Sequence, residues 1–261
     1  MLHGVAYSDR IVVTPLSGAD MLAYGENMQM LSREKHPLGD IVRMSDEAAM
    51  LATYYRNNIL HLFALPSLVA CAFVGNAMVR TEDLQRLAWR IFPYIAAELF
   101  LHWHESELAG VVDRVLACLE QQGLIEANPT RTEWRRPPPS SVEAMQLSLL
   151  AQATIQTIER YYLAIALLVK GGSGQITQAD LEQRCQLTAQ RMGLLYGLNS
   201  PEFFDRTLFE NFIDLLRERR VIRMANGGRL EFDGVLLRVA EDAQFVLSEQ
   251  IRHSILQVTH S

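Results

Sequence analysis

Apolar residues recur every three or four positions along most of the chain, which is the spacing of one face of an α-helix. The clearest stripe ends at Gly123, a residue that commonly terminates helices, and consists of Leu108, Val111, Val112, Val115, Leu116 and Leu119. Another helix is predicted to begin at Thr81–Asp83, with Thr81 as part of its cap. A longer one spans about Val142 to Lys170 and ends at the glycine-rich connector 171–174. The pattern therefore predicts a mainly α-helical protein.

The part before residue 45 has less periodicity and is predicted to be irregular, with one short strand at most within Tyr7–Pro15. Ser45 can then cap a helix, because Asp46 and Glu47 follow it in the first turn, where the helix dipole favours acids. This helix should continue through residue 61 and bend or restart at Pro66, which has no N–H to donate to the helical ladder.

The last third of the chain repeats this pattern. Ser200-Pro201-Glu202 has the composition of a helix start, and Phe203 and Phe204 are predicted to lie in the core. The apolar face behind them is predicted to be Phe204, Leu208, Phe212, Leu215 and Leu216. Residues 221–224 and 229–232 flank Asn226-Gly227-Gly228, which is typical of a β-hairpin.

Elements in the two halves are separated by a constant 97 residues: Asp83 and Asp180, Leu119 and Leu216, Ile125 and Ile222. Two interpretations follow. Either the chain holds two tandem winged-helix-like units with small β-hairpins, or it is an undivided helical array with a fortuitous echo. We expect an irregular segment at 1–45, a first unit at 46–136, a proline-rich linker at 137–141 and a second unit at 142–261.

Composition adds mainly exclusions. The 261 residues are 49% hydrophobic and 21% charged with a net charge of −6, so a general nucleic-acid surface is not expected. The three cysteines are widely spaced, which favours buried free thiols over disulfides. The longest apolar run, Leu62–Val74, is shorter than the ~20 residues that span a bilayer. We therefore expect a core helix there, no transmembrane segment and no signal peptide.

Three ordered blocks resemble a known family: Tyr54–Ala70 (YYRNNILHLFALPSLVA), Ile91–Trp103 (IFPYIAAELFLHW) and Gly197–Asp205 (GLNSPEFFD). They are similar to the carboxy-terminal region of the bacterial membrane-bound glycerol-3-phosphate 1-O-acyltransferases. The resemblance covers about Gly39 to Asp214. It implies an enzyme that transfers an acyl group from acyl-CoA or acyl-carrier protein to the sn-1 hydroxyl of glycerol 3-phosphate, giving lysophosphatidic acid for phospholipid synthesis.

That family carries its chemistry upstream, on a His-x4-Asp motif whose histidine is the general base. No histidine of this sequence has an aspartate five positions on; His36 and Asp40 are four apart, and His3 and Asp9 six. The resemblance thus implies a non-catalytic scaffolding, docking or regulatory region, with no catalytic residue and no cofactor. Its implied partner is the upstream catalytic domain, and its implied location is the cytoplasmic face of the bacterial inner membrane, reached through the full-length protein. The alternative is a freestanding winged-helix protein-interaction module without enzyme activity.

One helix face is a candidate site. Tyr54, Asn57, Asn58 and His61 share a face at 100° per residue, and Arg56 lies off it. Two amides and an imidazole are too polar for an ordinary core, because each buried group would need a partner. We interpret these five residues as a docking surface for the catalytic domain. Alternatively, they form a polar network that fixes the helix to the loop at 33–40.

A metal site is not predicted. His102-Trp103-His104-Glu105 offers two imidazoles, but on a helix they would point to different faces, and no third ligand lies nearby in sequence. Trp103 is instead predicted to pack at a helix junction.

Overall fold

The computed structural model describes residues 12–37, 39–196, 201–225, 227–247 and 249–260. It is mainly α-helical with small antiparallel strand pairs, as the sequence predicts. The chain divides into two compact units, whose described parts begin at residue 12 and, for the second unit, at residue 64. The helices and strands of each unit are given below.

The unit that precedes residue 64 is more regular than the sequence predicts. It contains α1 (Gly18–Asn27), the antiparallel pair β1 (Leu31–Glu34) and β2 (Ile41–Met44), and the first part of α2 (Asp46–Gly75). The expectation of an irregular segment up to residue 45 is wrong for 18–44, because Ser17 and Asp20 form a reciprocal capping box that starts α1. The strand expected within Tyr7–Pro15 is not present at 12–15, and the rest of that range lies outside the described residues.

Helix α2 starts as predicted and does not restart at Pro66. The backbone N–H of Ala48 donates to the Ser45 hydroxyl at 3.2 Å, which confirms the cap. Helix then continues without interruption to Gly75. The residues around Pro66 are all buried, and the Ser67 hydroxyl donates to the carbonyl of Ala151 at 3.1 Å. Tertiary packing of this kind compensates for the one backbone hydrogen bond that proline removes.

Helix α2 is also long and apolar enough to cross a bilayer by length and composition. However, 56% of its most apolar 18-residue window is buried within the protein. The core helix of a folded protein is also long, apolar and mostly buried. The length and composition of α2 are therefore only weak support for a membrane span.

The next elements are β3 (Met78–Arg80), α3 (Thr81–Leu99), a 3₁₀ turn (Glu105–Glu107), α4 (Leu108–Gln121), β4 (Glu126–Ala127) and β5 (Glu133–Arg135). The strands form one antiparallel sheet in the order β3-β5-β4. All six residues of the predicted α4 stripe are buried, and Trp103 is buried near the junction before it. Thr81 does not cap α3; its hydroxyl accepts from the Trp134 indole N–H at 2.8 Å and donates to the Arg131 carbonyl.

The second half contains α5 (Val142–Gly171), α6 (Gln178–Tyr196), a 3₁₀ turn (Pro201–Phe204), α7 (Arg206–Glu218), β6 (Ile222–Met224), β7 (Leu230–Phe232), α8 (Gly234–Val246) and α9 (Glu249–His260). Two pairs of elements keep the 97-residue offset: α3 and α6 begin at 81 and 178, and β5 and β7 begin at 133 and 230. An isolated antiparallel bridge between Thr177 and Arg229 stands where β3 meets β5 in the first half.

Two details of this half differ from expectation. Pro201–Phe204 is a 3₁₀ turn, and α7 begins only at Arg206, where the Asp205 carboxylate accepts from the Thr207 N–H. The buried face of α7 is Phe209, Phe212, Ile213 and Leu216, whereas Leu208 and Leu215 are partly exposed. Phe203 is 1% exposed, as predicted for the core, while Phe204 is only partly buried. The predicted features at 197–200 and at Asn226 lie outside the described residues.

The proline-rich stretch is held in place at its start. Pro137 is buried, and the Arg136 guanidinium donates to the carbonyls of Phe73 and Val74 at the end of α2. The division of the chain into units at 137–141 stays a prediction. Cys71, Cys118 and Cys185 are free and buried, as expected.

Candidate docking surface

The five candidate residues lie on the part of α2 that precedes residue 64. Tyr54 is 65% exposed, and Arg56, Asn57 and Asn58 are exposed as well, while His61 is partly buried. The helical geometry therefore places Tyr54, Asn57, Asn58 and His61 along one side, with Met50, one turn earlier, extending it. Met50 is 71% exposed. Because Met50 is apolar, the polar pattern that identifies this face in the sequence does not indicate it.

Arg56 takes part in this surface although it lies off the shared face. Its guanidinium donates to the Asn57 side-chain carbonyl through Nε at 3.3 Å and through Nη2 at 3.1 Å. The long arginine stem spans the angle between neighbouring helical positions. This contact orients the Asn57 amide and places a positive charge beside it.

The alternative interpretation concerned the loop at 33–40. The Arg33 guanidinium donates to the Glu26 carboxylate at 2.7 Å and to that of Asp40 at 3.5 Å. These partners, Glu26 first, raise the pKa of Arg33. Arg33 thus forms its ion pairs with α1 and the end of its own loop. The docking role of the five residues stays a prediction.

The described residues from 12 to 63 share a wider feature: none of them is buried. The large apolar side chains exposed there are Val12, Leu16, Met21, Leu22, Tyr24, Met28, Ile41, Met44, Met50, Leu51, Tyr54, Tyr55 and Ile59. We call this set the exposed apolar surface. Every buried core residue of the described chain lies at Ala64 or beyond.

Such a segment has little stability of its own. A two-stranded hairpin is marginal in water, and a short helix without a packed face is marginal too. Exposed apolar patches larger than a few hundred Å² are uncommon on monomers and mark sites of protein or membrane interaction. Residues 12–63 thus expose 13 large apolar side chains without a buried core of their own.

The histidines at 102 and 104 do not form a metal site with their described neighbours. Residues 101–104 are not helical, so the expectation of a helix there is wrong, and both histidines are exposed beside the buried Trp103. The backbone N–H of His104 donates to the Glu107 carboxylate at 2.7 Å, which starts the following 3₁₀ turn. In the described part of the chain, no group of three His, Cys, Asp or Glu side chains could hold a metal ion.

Comparison with known proteins gives a consistent result. Residues 2–225 match the family model of the glycerol-3-phosphate acyltransferase C-terminal region. A glycerol-3-phosphate acyltransferase of Pseudomonas aeruginosa is 43% identical over 260 residues, which is 99% of this chain and 31% of that protein. Similar proteins of the same name from Pseudomonas syringae and Xanthomonas campestris are 40% and 39% identical. The chain thus spans about a third of the length of the relatives it matches.

Proposed function

The chain belongs to the family of the glycerol-3-phosphate acyltransferase C-terminal region, and we propose that its exposed apolar surface docks onto the catalytic portion of such an enzyme. Its role there is to scaffold or regulate, and the acyl transfer takes place elsewhere. The observation that supports this proposal most directly is the absence of any buried residue among the described positions of 12–63. In this proposal the catalytic portion packs against the exposed apolar surface and buries its side chains.

The sequence supports a non-catalytic role. Acyl transfer to an alcohol needs a general base close to the attacking hydroxyl, and no His-x4-Asp is found in the 261 residues. In the full-length enzyme, the proposed reaction transfers an acyl group from acyl-CoA or acyl-carrier protein to the sn-1 hydroxyl of glycerol 3-phosphate. We further propose that the full-length protein lies peripherally at the cytoplasmic face of the bacterial inner membrane.

The repeated topology suggests how the scaffold is built. A helix, a strand, two helices and a strand pair, with the first strand beside the last, is the order found in winged helices. The sheet order β3-β5-β4 and the bridge Thr177–Arg229 support this assignment for both halves. The same topology favours a second candidate, a freestanding protein-interaction module. The length of the relatives favours the first candidate, because their matched region is less than a third of each protein.

We expect the double variant Tyr54→Ala/Asn57→Ala to weaken binding to the separately produced catalytic portion by about tenfold or more, as loss of a central aromatic contact does. Because the substituted side chains are exposed, thermal unfolding of the chain should change little. Co-purification and acyltransferase activity of the mixture are the measurements. The matched control is Leu187→Ala/Leu194→Ala, which removes two exposed apolar side chains from α6.

Equal binding by both double variants would contradict docking through this face. If the unaltered chain does not bind the catalytic portion, docking itself is wrong. Acyl transfer by the purified chain alone would overturn the non-catalytic role.

A further inference from the structure

A cavity of about 330 Å³ lies within the unit that begins at residue 64. Helix α3 forms one wall, the segment after α7 a second, and the start of α8 a third. The apolar part of the lining consists of Trp89 and Pro93, one helical turn apart on α3, with Val221 and Val235 from the other walls. A volume of this size is at the lower end of the range for small-molecule sites, so the cavity suits a compact ligand.

Tyr94 places an unused hydrogen-bond donor at this cavity. The residue lines the cavity and is 7% exposed, and its ring packs edge-on against Phe212 and Tyr161. Its hydroxyl forms no hydrogen bond with any described residue, although a buried tyrosine hydroxyl ordinarily has a partner. Burial raises the pKa of this phenol, so the hydroxyl keeps its proton. A ligand with an acceptor atom would complete this missing hydrogen bond.

Two further donors of the lining are free in the part of the chain that the structure describes. The exposed guanidinium of Arg238 forms no ion pair or hydrogen bond there, and neither does the indole N–H of Trp89, which is 57% exposed. The other charged side chains of the lining are engaged: Arg219 donates to the Glu105 carboxylate at 2.6 Å, and Arg90 has an interaction of its own. The free polar side chains are therefore donors, and one of them is a cation.

These groups indicate the chemistry of the ligand. One free guanidinium balances a single negative charge, which is the charge of a carboxylate near pH 7, and the planar fork of arginine matches the two oxygens of that group. The exposed ring of Trp89 beside Pro93 suits a flat aromatic ring, because such rings pack favourably in offset or edge-on contacts. A long acyl chain would extend beyond a cavity of this volume.

We propose that this cavity binds a small aromatic carboxylic acid. Arg238 binds the carboxylate, the Tyr94 hydroxyl donates to one of its oxygens, and the ring of the ligand packs against Trp89 and Pro93. Such a ligand is neither a substrate nor a product of the acyl transfer proposed above. The residues that form the site all lie beyond residue 64, and docking of residues 12–63 is not needed for it. Failure of one proposal therefore leaves the other standing.

Calorimetric titration of the purified chain with phenylacetate tests the site. Three further probes separate the contributions to binding. Phenylacetamide has the same shape without the charge, cyclohexylacetate has the charge without the aromatic ring, and glycerol 3-phosphate is an anion without an apolar part. We expect phenylacetate to bind with a millimolar or lower Kd, and more tightly than each of the other three. Absence of phenylacetate binding, or binding by any of the three that is as tight, would overturn the proposal.

The variant Tyr94→Phe removes only the hydroxyl. We expect it to weaken phenylacetate binding by about threefold to tenfold, as loss of one hydrogen bond does. Thermal unfolding should not change, because the hydroxyl has no described partner in the protein to lose. A lower unfolding temperature with unchanged binding would show that the hydroxyl serves the fold alone, and would refute the site.

The variant Arg238→Gln is expected to weaken phenylacetate binding by about tenfold or more, because it removes a hydrogen bond between two charged groups. Its control is Arg184→Gln, which removes the same charge from an exposed position on α6 and should bind normally. Equal loss of binding in the two variants would show a nonspecific effect of charge and contradict the assignment of Arg238.

Discussion

Replacing Arg160 by methionine is expected to lower the free energy of unfolding by about 3 kcal/mol. The Arg160 side chain is 3% exposed, and it pairs with the Glu98 carboxylate, whose side chain is 18% exposed. Removing the arginine leaves that carboxylate without its counter-charge in a largely dry environment. The hydroxyl of Tyr161 donates to the same carboxylate at 2.8 Å, so the acid has two partners from α5.

This ion pair stabilises the protein at the junction between the two repeated halves. Glu98 is near the end of α3, Arg160 and Tyr161 lie in the middle of α5, and aromatic contacts continue into α7. The Tyr161 ring stacks on Phe212 at 4.3 Å, and Tyr94 meets Phe212 edge-on at 5.3 Å. Loss of the charge pair therefore affects a contact shared by three helices, and unfolding should remain one cooperative transition.

A double-mutant cycle measures the coupling. Glu98→Gln and Arg160→Met are each expected to destabilise, while the double variant should lose clearly less than their sum, because it leaves no unpaired buried charge. Urea unfolding followed by circular dichroism is the measurement. The control is Arg223→Met, which breaks an exposed pair with Asp233 at 3.8 Å and should cost less than about 1 kcal/mol. Additive losses in the cycle would mean that the two charges do not interact strongly.

Local sequence pattern was sufficient for most of the secondary structure. Helix α5 and the apolar face of α4 agree with the predicted positions, because helical periodicity, capping residues and glycine ends all act over a few residues. The hairpin of β6 and β7 likewise follows from its glycine turn. Local signals failed where packing decided. Pro66 does not end α2, since the buried surroundings of that helix hold the backbone in place.

The buried face of α7 shows a second limit. Sequence spacing alone gave Phe204, Leu208 and Leu215 as core positions, but the preceding 3₁₀ turn sets the start of the helix at Arg206. The neighbouring apolar positions fit the same helical spacing, and packing of α7 against α5 and α6 turns Phe209 and Ile213 inward.

The candidate sites were the least predictable features. The face at 54–61 was found through its unusual polarity, but the surrounding exposed apolar residues have ordinary composition. Whether these side chains are exposed depends on how the rest of the chain packs, and a short stretch of sequence does not show that packing.

The second large effect concerns Glu159, which is 4% exposed in the middle of α5. Burial raises the pKa of this carboxyl to about 7, from an ordinary value of 4.5. The structure gives it no hydrogen bond or ion pair with any described residue to offset the loss of hydration. The charged form is therefore disfavoured in the folded protein, while in the unfolded chain it is hydrated.

The sign of the pH dependence follows from this difference. Since the folded protein holds the proton more tightly, the group does not destabilise the fold below about pH 4.5; its destabilising effect grows as the pH rises and is complete above about pH 7. A shift of this size corresponds to about 3 kcal/mol.

Glu159→Gln should therefore have a free energy of unfolding about 1–3 kcal/mol higher than that of the unaltered chain at about pH 8.5, as measured by urea unfolding. The gain can be smaller than the full effect of the charge because the amide also needs hydrogen-bond partners. At about pH 4 the two proteins should be nearly equal in stability. Glu143→Gln, at an exposed position in the first turn of the same helix, should give no such pH-dependent gain. A constant difference between Glu159→Gln and the unaltered chain across this pH range would show that Glu159 titrates normally, and the proposed burial of its charge would then be wrong.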